Sequence, residues 1–383
     1  MLRGSTQRRW LIKRALGAST LSAATAIPRA VAETGLMRRD DTKPRSFKAI
    51  QFPRDHGAHP DERIEWWYLT GWLDADTGIQ ATIFRVRLGK AQQSTWGSNQ
   101  WLMGHAALVR RGWSKLIHEQ TAWRGVQHVA EFSESDLHIT MPGWRFAREA
   151  DGRIAIDIEQ GRLGLKLRCR PRSVPLLQGH QGYSQKGPAA SQFSHYYSQT
   201  QLQIEASLKL DGKALSIDRG SNFAAAWFDH EWSSSLLSAD AAGWDWFGLN
   251  LLDGQSWMAF RIRDRQGAEL WRSEAGLVIQ TLEQWRSSVS GANYPVAMRV
   301  KGKFGPLVLK ALVRDQEIDA RASTGNRYWE GAVMAYSEQG NTCSIMAAKN
   351  RTAPELARDR CLDGKCVFLW PKVFRLSPQK NCI

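Results

Sequence analysis

Short runs of alternating apolar and polar residues divide most of this sequence, and Gly, Asp and Asn interrupt them. A period of two turns one face of a strand towards a core, and Asp-Gly pairs favour tight hairpin turns. We predict strands over residues 65–73, 79–88, 101–110, 137–141, 153–158, 163–168, 201–210, 222–232, 246–252, 256–263 and 296–303. Helical periodicity is confined to two short segments, 282–286 and 353–360. Many short strands at hairpin spacing predict an all-β fold of the barrel or sandwich type.

Two of the predicted hairpins share their residue spacing. The steps from Trp67 to Asp74 and from Trp246 to Asp253 are both seven residues, and a Gly-to-Phe step of six residues follows in each hairpin. We interpret this as an internal repeat of two related barrels, over 46–238 and 239–340, followed by a cysteine-rich tail over 341–383. The alternative is a coincidence between two amphipathic hairpins.

The first residues have the pattern of an export signal. Arg8 and Arg9 are followed by one spacer, two apolar residues and Lys13, as in twin-arginine signals. A short, weakly apolar stretch over 15–27 precedes the small-residue sequence Ala30-Val31-Ala32, which is typical of a cleavage site. We therefore expect a signal peptide over 1–32, a periplasmic or secreted protein, and no transmembrane anchor in the mature chain. The alternative is a basic arm that binds nucleic acid or a membrane.

Charge and tryptophan content limit the partners. The net charge of +15 includes six cationic residues in the segment 1–32, which has no acid, and the remainder lacks long basic runs. We expect an apolar small molecule or a lipid as partner, with envelope transporter components as a further candidate and no nucleic acid. The 18 tryptophans either thicken aromatic cores or wall a pocket for an apolar ligand.

Asp229, His230 and Glu231 are the candidate catalytic residues. On a strand, Asp229 and Glu231 share one face and His230 lies on the other. Burial against indoles raises the pKa of a carboxyl group, which makes it a plausible proton donor near neutrality. The alternative is a structural role, in which these acids pair with arginines of the two hairpins: Arg85, Arg87, Arg261 or Arg263.

A second set of aromatic and polar residues is predicted to bind the ligand. These residues are His56, Glu65, Trp67, Tyr68, Trp232, Trp244 and Trp246. His56 and His59 have a spacing that suits a metal, and His230 is a candidate third ligand, but the first two lie beside Gly57 and Pro60 in a predicted loop. Without a clear third ligand we predict no metal site and no cofactor. No Gly-x-Ser-x-Gly motif supports a serine hydrolase.

Several motifs, in order along the chain, resemble the AttH-like proteins, which are lipocalin-like and often labelled predicted secreted hydrolases. The resemblance rests on residues 52–73, 196–198, 229–232, 243–247 and 328–333, and covers about residues 46–340. It implies a tandem of two lipocalin-like (calycin) antiparallel β-barrels, in agreement with the repeat. Relatives include lipocalin-like Diels–Alderases and carotenoid 1,2-hydratases, which add water to an isoprenoid double bond by acid catalysis without a cofactor. By this resemblance, the proton donor would come from residues 229–231.

The chain departs from the family pattern after Gly340. Family members end in a Gly-Tyr and Glu-Leu-Thr-Gly-Tyr-like strand, whereas this chain continues with Asn341, Thr342 and Cys343 and becomes rich in cysteine. A reading-frame change and a divergent tail both account for this, and either leaves the second barrel incomplete at its C-terminus, with an unpaired sheet edge.

The function that we expect first is an exported lipocalin-like protein that binds a lipid- or isoprenoid-like ligand, because an eight-stranded barrel can enclose one small ligand. One alternative is a cofactor-independent hydratase or hydrolase acting on an apolar substrate. Another is a structural protein of an envelope or transporter assembly.

Overall fold

The computed structural model describes residues 47–88, 98–235, 238, 240–337 and 373–375. The fold is all-β and lipocalin-like, with 58% of residues in strands and 1% in helix. The strands of the first half are β1 Ile64–Trp72, β2 Thr77–Arg87, β3 Gln100–Arg110, β4 Ile117–Arg124, β5 Glu131–Phe132, β6 His138–Met141, β7 Trp144–Arg148, β8 Ile154–Gln160, β9 Leu163–Arg170, β10 Leu176–Leu177, β11 Tyr183–Gln185, β12 Phe193–Leu210, β13 Lys213–Leu215 and β14 Ala225–Ser235. A 3-10 turn, Arg54–His56, precedes β1.

The strands of the second half follow β14 in the chain. They are β15 Gly243–Asn250, β16 Ser256–Arg263, β17 Glu269–Arg272, β18 Val278–Arg286, β19 Asn293–Lys301, β20 Leu307–Ala311, β21 Glu317–Ala320, β22 Asn326–Trp329, β23 Val333–Ser337 and β24 Val373–Arg375. They form three antiparallel sheets, in the orders β15-β16-β17, β18-β19-β20-β23 and β21-β22-β24.

The first half is one curled antiparallel sheet, in the order β4-β3-β2-β1-β14-β12-β9-β8-β7-β6-β5, with β10, β11 and β13 paired to β12. Strands from its two ends approach each other: Gly104 on β3 faces the indole of Trp144 on β7. The backbone N–H of Arg162 also donates to the carboxylate of Glu119 on β4, at 2.9 Å. The inward side chains of all these strands therefore share one core.

Strand β12 sets the position of the candidate site. Its first part pairs with β14, its second part pairs with β9, and a register shift between Gln199 and Leu202 separates them. Gln201, inside this shift, has a φ of 53°. Ser198, which lies just before this shift, is opposite Asp229 across the β12–β14 ladder.

Strands β1 and β14 are buried on both faces. Trp67 and Phe228 point into the core of the first half. Tyr68 and Trp227 point the other way, into a second core that also contains Trp246 of β15. A polar side chain on either face of β14 is thus removed from water.

Both predicted hairpins are present, as β1–β2 and β15–β16. Glu65 lies opposite Arg85 in the first, and Asp245 lies opposite Arg261 in the second. Each acid forms an ion pair with the arginine opposite it, at 2.7 Å and 2.6 Å. This matched pair aligns Trp246 with the residue before Trp67, so the structural register differs by one residue from the sequence spacing.

One predicted element is wrong. Residues 282–286, predicted as a helical turn, belong to strand β18. This strand is the edge of its sheet, most of its side chains are exposed, and its register shifts around Glu283. Such irregular exposure does not alternate with period two, and the pattern imitates a helix.

Several sequence predictions lie outside the described residues. They concern the signal segment 1–32, the helical segment 353–360, and Cys343, Cys361, Cys366 and Cys382. Cys169, on β9, is a buried free thiol. In the described part of the chain, none of the helical structure has the length and apolar character that a membrane crossing needs.

Candidate functional site

A cavity of about 40 Å³ lies between the first sheet and the β15–β16 hairpin. It is lined by aromatic and aliphatic side chains and one pair of charged groups: Trp66, Lys186, Glu231, Trp244, Trp246, Phe260 and Ile262. Since one water needs roughly 10–15 Å³ of such space, the cavity has room for a few waters or a small apolar group. We call it the indole cavity.

Lys186 and Glu231 form a buried ion pair in the indole cavity. The Lys186 Nζ lies 2.8 Å from the Glu231 Oε1, and their side chains are 8% and 7% exposed. Ser194 donates its hydroxyl to the same carboxylate oxygen at 2.5 Å. The ammonium also lies 4.2 Å from the centre of the Phe260 ring. Burial lowers the pKa of Lys186, and the charge of Glu231 opposes that change.

Asp229 lies two residues from Glu231 on the same face of β14. Its Oδ1 accepts hydrogen bonds from the indole N–H of Trp227 and the hydroxyl of Ser198, both at 2.6 Å. Tyr196 is close by, and its hydroxyl accepts a hydrogen bond from Trp246 at 3.2 Å. Burial and the nearby carboxylates raise the pKa of Tyr196 well above its ordinary value. Two carboxylates and a phenol are thus held together, away from bulk water.

A second cluster, which we call the imidazole cluster, lies on the opposite face of β14. It is formed by His230 of β14, Glu65 of β1, and Asp55 and His59 from the segment before β1. Glu65 is at its centre: its Oε1 lies 2.6 Å from His59 Nδ1 and 2.8 Å from His230 Nε2. The guanidinium of Arg85 donates to Glu65 Oε2 at 2.7 Å. Burial raises the pKa of Glu65, but the two imidazoles and Arg85 outweigh it and hold that pKa far below its usual range.

The two imidazoles differ in their surroundings. Burial lowers the pKa of both rings; in His59, hydrogen bonds to Asp55 and Glu65 reverse the effect and raise the pKa. In His230 burial prevails and its pKa falls to about 4. The His59 ring stacks on Trp232 with centroids 3.8 Å apart, and the His230 ring stacks on Trp67 at 4.7 Å. These stacks hold both rings in place.

The predicted catalytic residues divide between these two sites. Asp229 and Glu231 lie on the face of the indole cavity, whereas His230 belongs to the imidazole cluster, as strand alternation predicts. The predicted ligand-binding residues divide in the same way. Trp244 and Trp246 line the indole cavity, and Tyr68 packs edge-on against Trp246 at 5.7 Å.

The remaining predicted ligand-binding residues are on the other side of β1 and β14. Glu65 is a member of the imidazole cluster, while Trp67 and Trp232 stack on its rings. His56 Nδ1 lies 2.7 Å from the hydroxyl of Tyr197, and the backbone carbonyl of His56 accepts the Trp67 indole N–H at 3.1 Å. The residues that we predicted as one site therefore form two sites, on opposite faces of the sheet.

The alternative pairing of Asp229 and Glu231 with hairpin arginines is not found for Arg85, Arg261 or Arg263. Arg85 pairs with Glu65, and Arg261 and Arg263 both pair with Asp245. Each of these arginines is on the strand next to its acid, which is a shorter reach than the other half of the protein.

Lys186, which sequence reasoning missed, neutralises Glu231. It follows β11, a strand of three residues that is too short to show alternation. Its placement depends on the pairing of β11 with β12, which brings Tyr183 opposite His195. This long-range contact has no local sequence signal.

Comparison with known proteins agrees with this architecture. The AttH-like family model matches residues 43–345. The chain belongs to the AttH-like family. This confirms the resemblance read from the motifs, and the match ends close to the point where those motifs stop. A search of curated proteins found no match.

Two solved structures are similar to this AttH-like chain. A Nitrosomonas europaea protein assigned to AttH is 31% identical with a TM-score of 0.72, over 87% of this chain and 99% of that one. Kievitone hydratase from Nectria haematococca is 12% identical with a TM-score of 0.56, over 86% of this chain and 94% of that one. At that identity, the second likeness concerns the fold alone.

Proposed function

We propose that this protein binds the end of an apolar, lipid- or isoprenoid-like chain in the indole cavity. The observation that carries the proposal is the lining: Trp66, Trp244, Trp246, Phe260 and Ile262 surround a space with a single charged pair, Lys186 and Glu231. Ligand sites are commonly apolar, with a few polar groups that fix orientation. The small volume suits the end of a chain rather than a whole large ligand.

Trp244 makes the proposal testable, because it lines the cavity and is partly exposed. The probe is cis-parinaric acid, a fluorescent fatty acid, titrated into the full mature chain and checked by native mass spectrometry. Trp244→Ala should weaken binding roughly tenfold, which corresponds to about 1.4 kcal/mol. The control is Trp123→Ala, another partly exposed tryptophan, on β4 and outside the lining. Absence of binding to this acid and to a panel of isoprenols, or an equal loss in both variants, contradicts the proposal.

A second function, hydration of an alkene, is favoured by the buried ion pair at the cavity. Lys186 and Glu231 together hold a proton beside an apolar wall, and burial makes the ammonium a better proton donor than a lysine in water. In this reaction the pair gives a proton to one alkene carbon, and the cation on the other carbon is stabilised by the surrounding aromatic rings. Water then adds to that cation and returns a proton to the pair.

Isotope incorporation tests this second function. The chain is incubated with a terminal isoprenoid alkene in ¹⁸O-labelled water, and the alcohol is analysed by mass spectrometry. Glu231→Gln should abolish label incorporation, whereas Ser194→Ala, which removes only one hydrogen bond to that carboxylate, should retain most of it. Product formation by Glu231→Gln at the wild-type rate contradicts a role for the pair in proton transfer.

We also propose that the twin-arginine route exports this protein, so that it binds its ligand in the periplasm or outside the cell. It is supported by the Arg8-Arg9 pair and the Ala30-Val31-Ala32 sequence. Replacing both Arg8 and Arg9 by lysine should retain the full-length precursor in the cytoplasm, with the wild-type chain as the matched control. Cleavage and release of the doubly substituted chain at the wild-type rate contradicts this route.

A further inference from the structure

Every ring nitrogen of His59 and His230 faces a hydrogen-bond acceptor. His59 Nδ1 and His230 Nε2 both face Oε1 of Glu65, at 2.6 Å and 2.8 Å. The other nitrogen of His59 faces Asp55 Oδ1 at 3.2 Å, and that of His230 faces the Asp55 backbone carbonyl at 3.0 Å. Ionised carboxylates and carbonyls only accept, so each of the four contacts needs a hydrogen from the ring.

Two neutral imidazoles provide only two of these four hydrogens. If the outer nitrogens donate to Asp55, the two nitrogens that face Glu65 Oε1 carry lone pairs, and both lie against one oxygen in a region where Glu65 and His230 are fully buried. One divalent cation placed between these three atoms would be bound by both lone pairs and by the carboxylate.

We propose that the imidazole cluster binds one divalent transition-metal ion, of which zinc is the model, through His59 Nδ1, Glu65 Oε1 and His230 Nε2. Imidazole and carboxylate are ordinary ligands of zinc, and three protein ligands leave a fourth position open. These three ligand atoms all lie within 4.8 Å of one another. The sequence lacked a clear third ligand beside the histidines, and Glu65 supplies it. This inference is independent of the function proposed for the indole cavity.

The outer partners of the histidines have the arrangement found around bound metals. His ligands usually donate their second N–H to a carboxylate or a backbone carbonyl, which fixes the tautomer and the ring orientation. His59 does so to the carboxylate of Asp55, and His230 does so to the backbone carbonyl of the same residue. Asp55 is held in turn by the Gln51 backbone N–H at 2.6 Å.

Binding requires a modest widening of the cluster. Ligands about 2.0–2.1 Å from a tetrahedral ion stand roughly 3.3 Å apart, and the two nitrogens approach Glu65 more closely than this. The two contacts must lengthen by about 0.5–0.7 Å, which small rotations of the His59 and Glu65 side chains would provide. His59 is the member of the trio with an exposed edge, since its side chain is 10% exposed. An ion therefore enters from its side.

The experiment uses the full mature chain, purified with chelator and then titrated with Zn²⁺ or Co²⁺. We expect one ion per chain by elemental analysis, a Co²⁺ visible spectrum typical of a four-coordinate site, and a higher melting temperature with Zn²⁺. His59→Gln should lower the affinity roughly a hundredfold. The matched control is His195→Gln, because His195 stacks on the same Trp232 but lies outside the group of three ligands. Equal affinity in both variants overturns the proposal.

A measurement on the unaltered chain covers the case in which the variants do not fold. ¹⁵N NMR of the imidazoles distinguishes nitrogens that carry a proton from those that do not. With Zn²⁺, His59 Nδ1 and His230 Nε2 should both lack a proton, while His59 Nε2 and His230 Nδ1 keep theirs. Protons on all four nitrogens in the presence of excess Zn²⁺ overturn the proposal, because two protons then fill the positions assigned to the ion.

Discussion

The Lys186 Nζ lies 2.8 Å from the Glu231 Oε1, in the wall of an otherwise apolar cavity. Lys186 follows β11 and Glu231 lies on β14, so the pair joins segments that are 45 positions apart in the chain. A hydroxyl from Ser194, on the strand between them, completes the contact. Because the pair is buried, each charged group needs the other to offset the free-energy cost of its removal from water.

Removal of either charge should destabilise the fold strongly. Lys186→Met and Glu231→Leu each leave one buried charge without its partner, and we expect each to lower the free energy of unfolding by about 3–5 kcal/mol. The double variant should lose far less than the sum, because neither charge remains. Urea unfolding of the four proteins measures this coupling. Additive losses contradict a direct interaction between the two groups.

Gly248 is predicted to be intolerant of a side chain. A Cβ there would stand 2.8 Å from the Trp246 ring and 3.0 Å from the Trp227 ring. Gly248→Ala should therefore cost about 1–3 kcal/mol, as overpacking does elsewhere. Gly220→Ala is the control, since its Cβ would meet only Asp218 Oδ1, at 3.5 Å, and it should be neutral within about 1 kcal/mol. Thermal unfolding of both variants measures the difference, and equal melting temperatures refute it.

His195 should make stability fall in mild acid. Burial lowers its pKa from 6.5 to about 4, and its Nε2 accepts the backbone N–H of Lys48 at 3.3 Å. As the pH falls from about 6.5 to about 4, the unfolded chain takes up a proton at this residue and the folded chain does not. Stability is therefore lost in this range, by up to about 1.4 kcal/mol per pH unit.

The His195 contribution is measured by comparing urea unfolding of the wild type and His195→Gln between pH 7 and pH 4.5. The variant should show a shallower fall with pH, because it cannot bind that proton. Parallel curves for the two proteins contradict a neutral, buried His195.

The indole N–H of Trp227 should matter more than its size. It donates to Asp229 at 2.6 Å, whereas Trp257 has only a long contact of 3.4 Å to Glu274. Both tryptophans are buried, so replacement by phenylalanine removes similar volume. Trp227→Phe should cost about 1–3 kcal/mol more than Trp257→Phe, because it removes a donor from a buried carboxylate. Chemical denaturation measures both, and equal losses contradict the difference.

Local pattern was sufficient for the two hairpins, for several other strands and for the family. The matched spacing around Trp67 and around Trp246 placed both hairpins, because Asp and Gly mark the turn between two runs of strand-forming residues. Strand alternation also placed His230 on the opposite face from Asp229 and Glu231. Edge strand β18 was not predicted as a strand, because its side chains are mostly exposed and its register is irregular.

The two sites themselves could not be read from the sequence. The partners of Glu231 and of His230 come from distant segments, Lys186 and Glu65, and the sheet order that joins them has no local signature. Composition showed many tryptophans and could not show that β1 and β14 are buried on both faces. Contacts between segments that are far apart in the chain therefore determine which acid pairs with which base.

The most direct test of the central proposal is a crystal structure with a fatty acid brominated at its methyl end. The anomalous signal of bromine locates the end of the chain without ambiguity. We expect the bromine within the indole cavity, in contact with Trp246 and Phe260 and close to the Lys186–Glu231 pair. A fully occupied bromine site anywhere else, with the cavity filled by water, would contradict it.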